Sequence, residues 1–289
     1  MIVCIGVWVL FQGVGVLLSS KKNITSPLVL LSPSQSPVSL AHAINQTLTN
    51  TDGQYGIVVK NLQTGEHFAQ LEHTSFDAAS LYKLWVMAVV YEQISTNRLR
   101  EDQKLKEDVV TLNEKFDIAS ESAELTEGEI ELTVEEALEK MITVSDNYAA
   151  FLLVAKVRLA TIASFLKTNG FLESKVGTSG GSPVSTASDI ALFFEKLYRG
   201  QLGTTEATEK MIALLKRQRL NGKLPKHLPE ETVIVHKTGE LDQFSHDAGI
   251  VYAPAGAYII AVLSKTSDRV EADEQIAYVS KAVFEYFSK

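Results

Sequence analysis

Cysteine is nearly absent: Cys4 is the single thiol in 289 residues. No internal disulfide can form, and no Cys/His cluster stands at zinc-ligand spacing, so a disulfide scaffold and a zinc module are both excluded. Basic charge is also short, with 27 Lys and Arg against 35 Asp and Glu, a net charge of −8. That balance argues against a nucleic-acid partner, because phosphate binding needs a cationic surface. No low-complexity tract, no internal repeat, no H-E-x-x-H, no Walker loop and no G-x-G-x-x-G in a strand-to-helix context occurs, and no metal or organic cofactor is implied.

What is present is a chain that can bury a core, with 45% hydrophobic and 21% charged residues. Residues 1–22 hold an uncharged apolar run from Ile2 to Leu18, followed by Lys21 and Lys22. The run lies near the lower length limit for spanning a bilayer and reads as a signal peptide or membrane anchor, although the basic pair follows the run instead of preceding it. Residues 23–39 carry Pro27, Pro33 and Pro37 among Ser and Thr and read as an extended linker. Residues 40–289 show no further linker and read as one unit, expected to be monomeric and exported, either free or tethered through residues 2–18.

Within that unit the pattern runs helix, strands, many helices, strands, helix. Ile57 to Val59 and Phe68 to Ala69 flank a turn, while Val233 to Val235, Ala248 to Tyr252 and Tyr258 to Leu263 read as later strands. Thr133 with Glu136 forms a capping box, Ala187 to Tyr198 has helical spacing, and Ala272 to Phe287 closes the chain as an amphipathic helix. Strands at both ends with helices between them predict an α/β chain of the α+β type. Its antiparallel sheet is built from both chain ends and flanked by helices, with an all-helical lobe inserted. A seam between lobes is where a cleft is expected.

Three short motifs carry chemistry. Ser80-Leu81-Tyr82-Lys83 opens the apolar run Leu84 to Val90, which puts Ser80 at a helix start and Lys83 on the same face. A serine hydroxyl needs a neighbouring base, and lysine can serve once burial or nearby positive charge lowers its pKa. Alone the motif is weak: S-x-x-K arises about once by chance in a chain this long, and Ser19 to Lys22 matches it too. Ser145-Asp146-Asn147 between two helical patterns and Lys237-Thr238-Gly239 at the end of a strand change the odds. The trio in this order is a coincidence of about one in a thousand.

On these motifs and the element order, residues 40–289 resemble the class A β-lactamase-like serine hydrolases of the β-lactamase and penicillin-binding protein superfamily. The resemblance implies that Ser80 is the acylated nucleophile and Lys83 its base, and that Ser145 passes a proton to the departing nitrogen. Asn147 would bind the substrate's side-chain amide, with Asp146 bracing the loop. Lys237 and Thr238 would hold the substrate carboxylate, and Gly239 would leave room for substrate along the strand edge. Backbone N–H groups of Ser80 and Glu240 would form the oxyanion hole. The substrate would be a small β-lactam or a D-alanyl peptide.

The sequence departs from the class A pattern after the third motif residue, Asn147. The family's deacylating Glu, with an Asn four residues on, has no clear match: Glu173 precedes Gly177 in a short Gly/Ser-rich segment and reads as a solvated acid at a helix end. The family's arginine after Lys-Thr-Gly is replaced by Ser245-His246-Asp247, where His246 reads as structural, with carboxylate binding as its alternative. Gly177 to Gly181 matches G-x-S-x-G, but Ser182-Pro183 follows where a nucleophile elbow needs a helix, so the segment reads as a glycine-rich loop. The expected activity is a serine β-lactamase with intact acylation and an atypical deacylation loop. The alternatives are a penicillin-binding D,D-peptidase and a cell-wall binding module without turnover.

Overall fold

The computed structural model describes residues 39–49, 51–178 and 181–289. The expected anchor at 1–22, and all of the 23–39 linker except Ser39, lie outside them. Ser39 caps α1 (Leu40–Thr47), its side chain accepting from His42 N–H. Then come β1 (Gln54–Asn61), β2 (His67–Gln70) and β3 (Phe76–Asp77), followed by a 3-10 turn, Ala79–Tyr82, which runs into α2 (Lys83–Ser95). The middle of the chain supplies β4 (Lys104–Asp108), α3 (Val109–Lys115), β5 (Glu129–Thr133), α4 (Val134–Thr143), α5 (Asn147–Val157) and α6 (Leu159–Thr168). After β6 (Val184–Ser185), α7 (Ala187–Tyr198) and α8 (Thr205–Lys216), the chain returns to the sheet with β7 (Val233–Leu241), β8 (Phe244–Ala253) and β9 (Gly256–Lys265), and closes with α9 (Arg269–Phe287).

The main sheet has the order β2-β1-β9-β8-β7 and every pairing is antiparallel, so the two chain ends meet along β1 and β9, as expected. Both faces are covered, and side-chain alternation divides the strands between two cores. On β9, Tyr258, Ile260 and Val262 join Ile276 and Val283 of α9, while Ile259, Ala261 and Leu263 face the core that holds α2 and α7. This explains why β8 and β9 read as nearly continuous apolar runs. The hairpin forms as the sequence predicts, with Val58 opposite Ala69.

The inserted lobe is wrapped around α2, in which every side chain from Lys83 to Tyr91 is buried. A helix apolar on all sides belongs in the interior, and α2 sits there. The capping box at Thr133 and Glu136 forms with both reciprocal hydrogen bonds. The lobe departs from the all-helical expectation in one respect: β4 and β5 form a two-stranded ribbon, with Lys106 opposite Glu131. Lys104 pairs with Glu131 at 2.6 Å and Lys106 with Glu129 at 2.7 Å, so cross-strand charges fix the register. A second short pair, β3 with β6, draws the segment before Ser80 against the segment after Pro183.

Candidate active site

The nucleophile motif does not begin as an α-helix. Ser80 lies in the 3-10 turn and α2 starts at Lys83. In a 3-10 turn, side chains three apart eclipse, which puts Ser80 and Lys83 on one face, with Lys83 Nζ bonded to Ser145 and Asn147 and not to Ser80. The turn is entered through Ala79 at φ +42°, a left-handed conformation that costs a non-glycine residue about 1–2 kcal/mol. Ala79 N–H donates to Asp77 Oδ1 at 2.9 Å, and Ala78 N–H to Pro183 O at 2.8 Å, which hold the strained entry. Gly239 on β7 is where the turn closes on the sheet: a Cβ there would stand 3.2 Å from Leu81 Cγ and 3.3 Å from Ala78 O. Its missing side chain therefore makes room for the nucleophile's turn.

Lys83 is fully buried and its Nζ donates to Ser145 O at 2.5 Å, Asn147 Oδ1 at 2.8 Å and Ser145 Oγ at 3.2 Å. Burial pulls its pKa down to about 7, against the upward pull of Asp146 and Glu124. Ser145 bridges the helices α4 and α5 in a left-handed conformation, φ +60°. That backbone turn aims its hydroxyl between two amines, because Lys237 Nζ donates to Ser145 Oγ at 3.1 Å from the other side. Lys237 also donates to Thr238 O at 2.8 Å, and burial, then the neighbouring Lys83, hold its pKa well below the ordinary lysine value. Strand alternation puts Lys237 on the same face as Val235, toward the inserted lobe. Asp146 caps α5 by accepting from Ala149 N–H at 2.8 Å, the bracing role expected of it.

Ser80, Ser145, Asn147, Thr238 and Glu240 all line one cleft of about 360 Å³. Edge strand β7 forms one wall, so its backbone N–H groups facing away from β8 are free of sheet bonds. A larger groove of about 520 Å³ between α1 and α9 contains none of the motif residues. Among the described residues no cluster of His, Cys, Asp and Glu could hold a metal ion.

The replaced positions have definite roles. His246 is fully buried, its Nε2–H donating to Asp77 O at 2.7 Å and its Nδ1 accepting from Ser264 N–H at 3.1 Å. Burial pulls it down to about 4, so it is neutral with both ring nitrogens engaged. The alternative in which it binds a carboxylate is excluded in this conformation. Glu173 is not simply a solvated acid: it accepts from Thr186 Oγ1 at 2.7 Å, contacts His73 Nδ1 at 3.0 Å, and does not line the cleft. In the G-x-S-x-G segment, Ser179 and Gly180 lie outside the described residues, while Ser182 and Pro183 line the cleft and short strand β6 follows.

Several site residues were not read from the sequence. Glu124, in the exposed stretch before β5, accepts from Asn147 Nδ2 at 2.6 Å. Lys223 is 2% exposed and pairs with Glu240 at 2.5 Å and Asp273 at 3.7 Å, behind the strand end. Burial raises the Glu240 carboxyl, but the Lys223 ammonium outweighs it and holds it below the usual range. The buried pair His236 Nδ1–H to Asp247 Oδ1, 2.9 Å, with Leu224 N–H on Asp247 Oδ2 at 3.1 Å, pins the segment that carries Lys223 to β7 and β8. The one sequence signal was the pair of histidines and an acid flanking the Lys-Thr-Gly strand.

The fold and this serine, lysine, serine, lysine arrangement define the class of serine hydrolases that contains the β-lactamases and penicillin-binding proteins. The chain belongs to the Beta-lactamase enzyme family, whose sequence model matches residues 39–287. Among solved structures, a β-lactamase from Sphaerobacter thermophilus is 23% identical with a TM-score of 0.74, over 86% of this chain and 95% of that one. PBP-A is 21% identical with a TM-score of 0.73, over 86% and 95%. A class A β-lactamase from Bacteroides cellulosilyticus is 20% identical with a TM-score of 0.73, over 86% and 97%. At such identities the likeness shows the fold. No curated protein matches the chain.

Proposed function

We propose that the protein is a serine β-lactamase that works through a covalent acyl-enzyme on Ser80. The observation that carries this reading is Ser145 Oγ held between Lys83 Nζ at 3.2 Å and Lys237 Nζ at 3.1 Å, beside Ser80 in one cleft. Lys83, near neutrality by virtue of its pKa of about 7, takes the Ser80 proton as Oγ attacks the lactam carbonyl. The proton then passes through Ser145 Oγ to the departing lactam nitrogen as the ring opens. Ser80 and Glu240 N–H groups receive the oxyanion, a role in which one donor is typically worth a factor of ~10²–10³ in rate. Lys237 and Thr238 take the substrate carboxylate, while Lys223 is neutralised by Glu240 and Asp273 behind the strand end.

Deacylation is the slow half. The acids that line the cleft, Asp77 and Glu240, are already engaged with Ala79 N–H and Lys223, and Glu173 is turned to Thr186 and His73. The same observation favours a second reading, a penicillin-binding D,D-peptidase whose β-lactam ester persists. In either case we place the protein outside the cytoplasm as a monomer, exported or tethered through residues 2–18. Intact-mass spectrometry with benzylpenicillin tests the nucleophile: the wild type should gain one acyl group and Ser80→Ala none. An adduct that survives Ser80→Ala removes Ser80 from the role.

A further inference from the structure

Resting on the reading of Ser80 as the acylated nucleophile, we propose that Glu124 selects the charge of the substrate's acyl side chain. It favours acyl donors with an ammonium on the carbon next to the side-chain amide carbonyl and disfavours those with a carboxylate there.

The amide of Asn147 is oriented by its partners, since the Lys83 ammonium donates to Oδ1 at 2.8 Å and the Glu124 carboxylate can only accept, from Nδ2, at 2.6 Å. Nδ2 carries two hydrogens. One is taken by Glu124; the other remains for the substrate's side-chain amide oxygen. Two acceptors on one amide nitrogen stand roughly 5 Å apart, so a substrate held by Asn147 presents its acyl substituent within reach of the Glu124 carboxylate.

The surroundings do not cancel this charge. The cleft wall beside Asn147 is apolar, formed by Ile118 and by Phe151 one turn along α5. The adjoining hollow of about 400 Å³ is lined by Glu124 and Asp146, with Lys140 as its lining cation, while Glu129 and Glu131 there are paired with Lys106 and Lys104. Lys83 stands behind Asn147, where its Nζ is taken up by Ser145 and Asn147 oxygens. An acyl substituent held by Asn147 therefore comes within reach of Glu124, the carboxylate bonded to that same amide.

Benzylpenicillin, ampicillin and carbenicillin test this, because they differ at the acyl α-carbon by hydrogen, ammonium and carboxylate. Second-order acylation constants are measured on the full chain in detergent, below the amine's pKa, ~7.7 for an ordinary α-amino group. The expected order is ampicillin, benzylpenicillin, carbenicillin, with a total spread of about tenfold, the range of exposed ion pairs. Glu124→Gln, which keeps an acceptor for Asn147, should compress the spread to about twofold, and Glu124→Lys should invert the order. Raising the pH through the amine's pKa should erase the preference for ampicillin over benzylpenicillin. Equal constants in the wild type, or a spread unchanged in Glu124→Gln, overturn the inference while acylation itself stands. Failure of all three compounds to acylate Ser80 overturns the underlying reading and this inference with it.

Discussion

Two segments border the nucleophile, and they are organised around different tasks. In the wall made by Ser145, Asn147 and Lys237, the polar side chains converge on one another: Lys83 reaches both Ser145 and Asn147, and Lys237 reaches Ser145 again. In the loop from Phe171 to Thr186, the polar groups serve the loop's own closure. Glu173 N–H, Ser174 N–H and Ser174 Oγ all donate to Asp189 Oδ2, at 3.0, 2.8 and 2.8 Å, which ties the loop to the first turn of α7. Buried amines sharing a hydroxyl form a device for moving a proton, whereas a carboxylate oxygen that takes two backbone N–H groups and a hydroxyl is a brace. The proposed acylation rests on the first segment, and among the described residues the second holds no acid that lines the cleft.

The largest expected effect breaks the first segment. Lys83→Ala should lower the acylation constant for benzylpenicillin by a factor of ~10²–10⁴, the usual worth of a general base, with circular dichroism confirming the fold. An unchanged constant would take the base role from Lys83. Next, because Lys83 must be neutral to accept a proton, acylation should rise with pH through an apparent pKa of about 7 and then level off. A profile flat from pH 5.5 to 8.5 would contradict the burial argument. His246→Ala removes two buried hydrogen bonds at the base of the nucleophile's turn and should cost about 2–4 kcal/mol of stability, read as a lowered denaturant midpoint. The smallest effect belongs to the second segment. Glu173→Gln should change steady-state turnover less than about twofold, since its His73 partner is 65% exposed. A large fall in deacylation alone would show the loop to be catalytic after all.

The same contrast explains what the sequence made legible. Ser80, Lys83, Ser145, Asn147 and Lys237 stand in three contiguous motifs whose order and resemblance to a known family place them, although β7 runs on to Leu241 and so carries Lys237 in mid-strand and not at the strand end expected of it; apolar runs marked the sheet. Glu124 was invisible because it lies in an aperiodic acidic stretch and acquires meaning only when Tyr148 OH, bonded to Leu125 O at 2.8 Å, holds that stretch against α5. Lys223 carries no local sequence signal, and its burial comes with contacts distant in sequence, where Asp247 and Ser280 hold the neighbouring Leu224. The ribbon of β4 and β5 was hidden by its charge, although Lys104-Leu105-Lys106 and Glu129-Ile130-Glu131 alternate with period two and carry opposite signs. In each case the deciding contact is long-range, where a single sequence offers no pairing information.

The central claim is that the site is built to form an ester at Ser80 faster than to release it. Stopped-flow mixing with a chromogenic cephalosporin reads both halves at once. The account predicts a burst of about one equivalent per protein followed by a much slower steady state. Rapid linear turnover with no burst would contradict it, by showing that an efficient deacylating base serves the acyl-enzyme.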